Sequence, residues 1–280
     1  MTTATAPARP KTMMGRLRSV GRRAGAMPKG FESQIVWLLG SPRSGSTWLL
    51  QLLGDHDAVV PINEPLIGWY LGPFMSDLPG MNAEELDIEN FTLRRVQHEK
   101  RQHFFADEFS DVWMPGLATM LRERFHAHAV RYPAKVPLER SRVVVKEPNG
   151  SQSADLLTQA LPDSRLLFLL RDGRDVVDSE LAANLAGSWV ASSFPGSRGV
   201  SAEDRLGFVV QSAKKWLWRT EVVEAAYEAH TGPRLTLRYE DLLADPDSHL
   251  ATVFDWLGVD VREGEVAQLI TQHAFESLPE

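Results

Sequence analysis

Ile35-Val36-Trp37-Leu38-Leu39 runs directly into Gly40-Ser41-Pro42-Arg43-Ser44-Gly45-Ser46-Thr47, and then into Trp48-Leu49-Leu50-Gln51-Leu52-Leu53. Five consecutive apolar residues ended by Gly-Ser-Pro predict a strand buried on both faces, as in a parallel sheet. Ser46 to Leu53 predicts a helix. The turn between them has glycines at both ends, so its backbone N–H groups can point inward at an anion, helped by the positive end of the helix.

The same alternation continues outward. Val143–Val145 predicts a strand, followed by a helix over Asp155–Ala160. Leu166–Leu170 predicts another strand, with a helix from about Arg174 to Leu185. Glu203–Ala229 carries apolar residues at spacings of three and four, from Leu206 to Tyr227, and Ser201 with Asp204 suits its N-terminal cap. Leu235–Tyr239 predicts a fourth strand, and helices over Leu250–Leu257, ended by Gly258, and Glu263–Gln272 follow. Strands alternating with helices predict an α/β fold, a P-loop-like parallel sheet flanked by helices. Residues 64–142 break the pattern and hold ten aromatic side chains with no clean strand; they are expected to form a mostly helical insertion over the sheet edge, capping the acceptor site.

Composition bounds the chemistry. The 280 residues suit a single domain over 31–280, and 43% hydrophobic content supports a packed core. The absence of cysteine excludes disulfides, thiolate metal sites and a cysteine nucleophile. A net charge of −7 argues against nucleic acid as partner. Seven basic and no acidic side chains lie in residues 1–31, where a disordered basic arm over 1–30 is expected; its alternative is weak contact with anionic lipid or a partner. No apolar signal-type segment follows the arm and no run of 18 apolar residues occurs, so a cytoplasmic location without a membrane span is expected.

Two basic motifs carry the chemistry. Gly40 and Gly45 have the spacing of a Walker A loop, but Ser46 stands where a nucleotide triphosphatase needs lysine, and the cation sits earlier, at Arg43. A loop that grips one terminal anion without a metal fits better. The second motif runs Arg171-Asp172-Gly173-Arg174-Asp175-Val176-Val177-Asp178-Ser179. Arg171 falls at the carboxyl end of a strand, where open α/β sheets bind ligands, and Ser179 lies two helical turns on. An Arg fork and a hydroxyl suit one phosphate. The plainer alternative pairs Arg171 with Asp172 or Asp175, and makes Arg174 a solvated residue of the helix start.

Together these motifs resemble the sulfotransferases that use 3′-phosphoadenosine-5′-phosphosulfate (PAPS). Pro42–Trp48 is similar to that family's 5′-phosphosulfate loop and Arg171–Ser179 to its 3′-phosphate motif. Trp216 and Arg238-Tyr239-Glu240-Asp241-Leu242 also match, so the resemblance spans about Ile35 to Pro279. The closer likeness is to tyrosylprotein sulfotransferases and bacterial relatives, which carry Arg in the first loop. Asn63-Glu64-Pro65 matches their base-bearing turn, and Lys146-Glu147-Pro148 their Lys-Asp-Pro.

The resemblance implies Glu64 as base, Arg43 as catalytic cation and Lys146 as a further stabiliser. It implies Arg43, Ser44, Gly45, Ser46, Thr47, Trp48, Arg171, Ser179 and Tyr239 as cofactor-binding residues, with no metal. It implies PAPS as co-substrate, adenosine 3′,5′-bisphosphate (PAP) as product, and a small-molecule, sugar, lipid or peptide hydroxyl as acceptor. The family's C-terminal cofactor-closing loop is expected to be missing, since this sequence stops at Phe275–Glu280, about where that loop should begin.

Alternatives stay open for single residues. Glu64 could support the loop, and Lys146 could be a surface partner of Glu147. Trp216 and Trp218 could be core, or Trp216 could stack near adenine. His98, His103, His126 and His128 are expected to be solvated or capping residues. For the whole chain, the competing functions are a PAP-binding protein without turnover and a P-loop kinase or NTPase.

Overall fold

The computed structural model describes residues 26–71, 107–132, 136–185, 187–188 and 199–273. The five-residue apolar run is strand β1 (Ile35–Leu39), every residue of it buried. The helix that follows the loop is α1 (Ser46–Gly54). In chain order the further elements are β2 (Val59–Asn63), α2 (Ile67–Leu71), α3 (Ser110–Arg131), β3 (Arg142–Lys146), α4 (Ala154–Ala160), β4 (Arg165–Leu170) and α5 (Gly173–Asn184). They are followed by α6 (Arg205–Ala229), β5 (Arg234–Arg238), α7 (Tyr239–Ala244), α8 (Pro246–Leu257) and α9 (Glu265–Gln272). All five strands are parallel, in the order β2-β3-β1-β4-β5.

β1 is central, with Trp37 level with Val145 of β3 and Leu166 of β4. Successive side chains of a strand point to opposite faces, so a strand covered on both sides must be apolar throughout. Ile35, Trp37 and Leu39 enter one core with Leu121 and Phe125 of α3, Leu157 of α4 and Val223 of α6. Val36 and Leu38 enter the other with Leu49 and Leu53 of α1, Phe254 and Leu257 of α8 and Leu269 of α9. The sheet is thus sandwiched between two helical layers. No described helix is long and apolar enough to cross a membrane.

The structure departs from the sequence expectations at identifiable points. β2 was not anticipated: Pro61 interrupts its apolar run. Pro is tolerated there because β2 ends the order of described strands, so among the described residues one row of its N–H groups meets no neighbouring strand. The last strand stops at Arg238, and Tyr239 opens a helix. Of the expected insertion 64–142, residues 72–106 and 133–135 lie outside the described residues; the described parts are mainly the turn 64–66 and helical segments, and α3 lies on the sheet's face rather than over its edge. Its Phe125 ring meets Trp37 edge-on at 5.5 Å.

The periodic stripe of α6 is only half used. Val223 and Ala226 are buried, while Leu206 and Leu217 are exposed, because the N-terminal half of the helix packs on α5 instead of the sheet. His126, expected to be a solvated or capping residue, is buried with its ring against Phe31. His128 stacks on Tyr132, and burial, then Arg124, holds its imidazole below the ordinary pKa. His98, His103, the basic arm and residues 274–280 lie outside the described residues.

Candidate functional site

The carboxyl ends of β1, β2, β3 and β4 open onto one cavity of about 570 Å³. It is walled by the loop after β1 (Pro42, Arg43, Gly45–Trp48), Glu64 after β2, Pro148 and Asn149 after β3, and Arg171 and Ser179 after β4, with Tyr239 behind. The two basic motifs and the acidic turn, distant in sequence, therefore share one space. This is where a parallel sheet of this type exposes its loops.

One cluster is centred on Lys146. The residue ends β3 and is almost wholly buried, 2% exposed. Its Nζ donates to Thr47 Oγ1 at 2.7 Å, Asn63 Oδ1 at 3.0 Å and Glu64 Oε1 at 2.6 Å. All three ammonium donors are thereby used. The other Glu64 oxygen accepts from Asn149 Nδ2 at 2.9 Å, and the Glu64 backbone N–H donates to the Lys146 carbonyl at 2.9 Å. The surface Lys146–Glu147 pair weighed from the sequence does not form.

The backbone here is strained: Glu64 and Leu66 have φ of 46° and 60°. Such values cost a non-glycine residue roughly 1–2 kcal/mol each and persist only when the surroundings enforce them.

A second cluster gathers the arginines. Arg43 (φ 67°) donates from Nε to Ser179 Oγ at 3.1 Å, so its side chain reaches the second motif rather than Glu64. Arg171 donates from Nη1 to the Arg43 carbonyl at 2.9 Å and lies 4.4 Å above the Tyr239 ring, a cation–π distance. Asp172 does not pair with Arg171. It caps α5 and holds Arg174, whose bonds are the main reason the Asp172 carboxyl falls to about 2. Arg174 itself is 90% exposed.

Tyr239 is the platform beneath both motifs. A Cβ at Gly45 (φ 88°) would sit 2.3 Å from its ring, so only glycine lets the loop lie on it. Trp48 packs edge-on to the same ring and donates from Nε1 to the His273 carbonyl at 2.9 Å. Trp216 covers Gly173 at the start of α5.

Several polar atoms await a partner. Ser44 Oγ and Arg171 Nε are buried without a hydrogen bond, and no side chain caps the N-terminus of α1. Asn149 was overlooked in the sequence, although it directly follows Lys146-Glu147-Pro148. Among the described residues no three His, Asp or Glu side chains converge as metal ligands would.

A profile of the sulfotransferase family matches residues 36–263. The chain belongs to the sulfotransferase family. An uncharacterised protein of Aquifex aeolicus (strain VF5) is 26% identical over 155 residues, covering 54% of this sulfotransferase and 17% of that much longer relative. Among solved structures, sulfotransferase STF9 from Mycobacterium avium aligns with a TM-score of 0.53 at 14% identity, covering 89% of this chain and 69% of that one. Mouse sulfotransferase SULT7A1, solved in complex with PAP, aligns at 0.45 with 15% identity, over 88% and 65% of the two chains. At its identity, the likeness to STF9 speaks for the fold alone.

Proposed function

We propose that this sulfotransferase moves a sulfuryl group from PAPS to an acceptor hydroxyl, leaving PAP. The observation that carries the proposal is the convergence of Arg43, Arg171, Ser179 and Glu64 around a single cavity, with Lys146 bonded to Glu64 and Thr47 behind its wall. The fit to such a donor is supported by the orphaned Ser44 Oγ and Arg171 Nε and by the uncapped start of α1. These are donors without an acceptor, as a multiply charged anion requires.

PAPS, when bound, supplies the sulfuryl group on a phosphate leaving group; the remaining steps belong to the chain. Arg171 and Ser179 hold the 3′-phosphate, with Tyr239 fixing the plane of the guanidinium. The loop amides and the hydroxyls of Ser44, Ser46 and Thr47 hold the 5′ end, beside the wall formed by Gly45 and Trp48. Glu64 takes the acceptor's proton as the acceptor oxygen bonds to sulfur. The S–O bond to the phosphate breaks, and its electron pair stays on the phosphate oxygen. Lys146, hydrogen-bonded to Thr47 at the head of α1, stands to stabilise that developing charge; Arg43 adds a second cation. Fixed cations thus do the work of positioning and charge compensation. The acceptor is a hydroxyl compound, with sugar, lipid, phenol and peptide classes all admissible.

The test is a thermal-shift titration with PAP beside ATP–magnesium, on the natural chain, Arg171→Ala and Glu64→Gln. PAP at a hundredfold excess over its Kd should add about 2.7 kcal/mol of stability. Arg171→Ala should cut the stabilisation to about 1.4 kcal/mol or less at the same PAP concentration. Glu64→Gln should keep it while losing turnover of PAPS with a phenol and sugar acceptor panel. A response to ATP–magnesium with none to PAP would overturn the proposal, and loss of PAP binding in Glu64→Gln would make Glu64 a loop support.

A further inference from the structure

Glu147 follows Lys146, yet its side chain is completely buried, 0% exposed, and takes no part in the chemistry above. It lies where the turn 64–66 enters α2. The Leu66, Ile67 and Gly68 amides approach its carboxyl group, although neither oxygen reaches full hydrogen-bond geometry. The surrounding backbone is drawn tight. A Cβ on Gly68 would lie 2.0 Å from the Gly150 carbonyl, and a Cβ on Gly150 would lie 2.3 Å from Glu147 Oε1. Gly150 N–H donates to the Glu147 carbonyl at 3.0 Å, and Ser153 Oγ to the Gly68 carbonyl at 3.2 Å. Residues 146–149 therefore hold the turn from both ends: Lys146 and Asn149 grip the Glu64 carboxylate, and Glu147 lies under the backbone beyond it.

A buried carboxyl group without good partners is costly and destabilising unless something else requires it. Burial raises its pKa to about 7, the three amides pull the other way, and the Glu64 charge adds to the rise. The strained φ angles of Glu64 and Leu66 are what requires it.

We infer that Glu147 is a positioning residue for Glu64, gathering the Leu66, Ile67 and Gly68 amides and so fixing the left-handed turn that aims the Glu64 carboxylate at Lys146. A carboxyl oxygen can accept from these amides in either protonation state, so the role needs an acceptor and not a charge. The catalytic part of this inference rests on Glu64 being the base; the structural part does not.

The test compares Glu147→Gln, which keeps an acceptor oxygen, with Glu147→Leu, which fills the space without one. Amide hydrogen exchange on the ligand-free chain is the first readout. Leu66, Ile67 and Gly68 should exchange at least tenfold faster in Glu147→Leu than in the natural chain, and within threefold of it in Glu147→Gln. The second readout is PAPS desulfation with p-nitrophenol or water as acceptor. Glu147→Leu should lose about a hundredfold in kcat, as a misplaced group does, with PAP affinity within twofold and no further loss when added to Glu64→Gln. Should Glu147→Leu fail to fold, Glu147→Asp, which withdraws the carboxyl group by one methylene, should show the same split between kcat and PAP affinity. Unchanged exchange at the three amides in folded Glu147→Leu would overturn the inference, as would equal losses of kcat and PAP affinity in either variant. Turnover surviving Glu64→Gln would instead remove Glu64 as base and leave the exchange result to decide the structural role.

Discussion

Lys146→Met removes an ammonium and keeps a stem of similar length. The ammonium makes three short bonds in a position 2% exposed. Removing one member of a fully buried ion pair costs about 3–5 kcal/mol. Here the partners are not equally deprived: the Glu64 side chain is 32% exposed and Thr47 is exposed, so water replaces part of what is lost. The expected cost is therefore about 2 kcal/mol, or roughly 4–8 °C in Tm for a domain of this size. Urea denaturation of Lys146→Met, Glu64→Gln and the double variant closes a cycle. Coupling between the two residues should be about 1–2 kcal/mol. Turnover should fall about 10²–10³-fold, and Lys146→Arg should not restore it, since a planar fork does not reproduce three divergent donors. A Lys146→Met chain as stable as the natural one, with additive effects across the cycle, would refute the network.

Arg174→Ala should leave PAP affinity within about twofold of the natural chain by calorimetry, because Arg174 is exposed and turned to Asp172; Arg171→Ala should cost roughly tenfold or more, at 1.5–3 kcal/mol per charge-assisted bond. Gly45→Ala should displace the Tyr239 ring and lower both Tm and PAP affinity, whereas Gly45→Ala with Tyr239→Leu should recover part of the stability. Glu147 makes stability depend on pH with a definite sign. Its folded value near 7 lies above the ordinary 4.5, so the unfolded chain gives up the proton first. Its contribution is complete below about 4.5 and is lost as the pH rises through about 7. Unfolding free energies from urea denaturation between pH 5 and 8 should fall by an amount on the order of 3 kcal/mol or less, and Glu147→Gln should flatten the profile; equal slopes in the two chains would contradict the assignment.

The elements legible in the sequence were those whose local pattern and tertiary role agree. Ile35–Leu39 is apolar throughout because both faces of a central strand are covered. The loop after it kept its glycine because Tyr239 leaves no room for a side chain at Gly45. β2 was hidden because Pro61 argues against a strand unless the strand is known to lie at an edge, which is a fact of the whole sheet. The exposed half of the α6 stripe misled for a similar reason: periodicity reports an apolar face and not what meets it.

The paired motifs made the site readable, but the partners inside it were not. Lys146 and Glu147 look like an ion pair in the sequence. They leave the end of a strand on opposite sides, so one enters the cavity cluster and the other the packing beneath α2. Asn149 becomes visible only when the 3-10 turn after β3 brings it back to Glu64.

The strand order has a consequence for how the chain is made. β1 leaves the ribosome well before its neighbours, β3 and β4, the nearer of which begins at Arg142. At about 5–20 residues per second, the ribosome needs roughly 5–20 s to deliver the first partner strand after β1 emerges. Throughout that interval Ile35–Leu39, apolar at every position, has both of its hydrogen-bonding edges open. The central position that later buries it also makes it the segment most in need of a chaperone during synthesis.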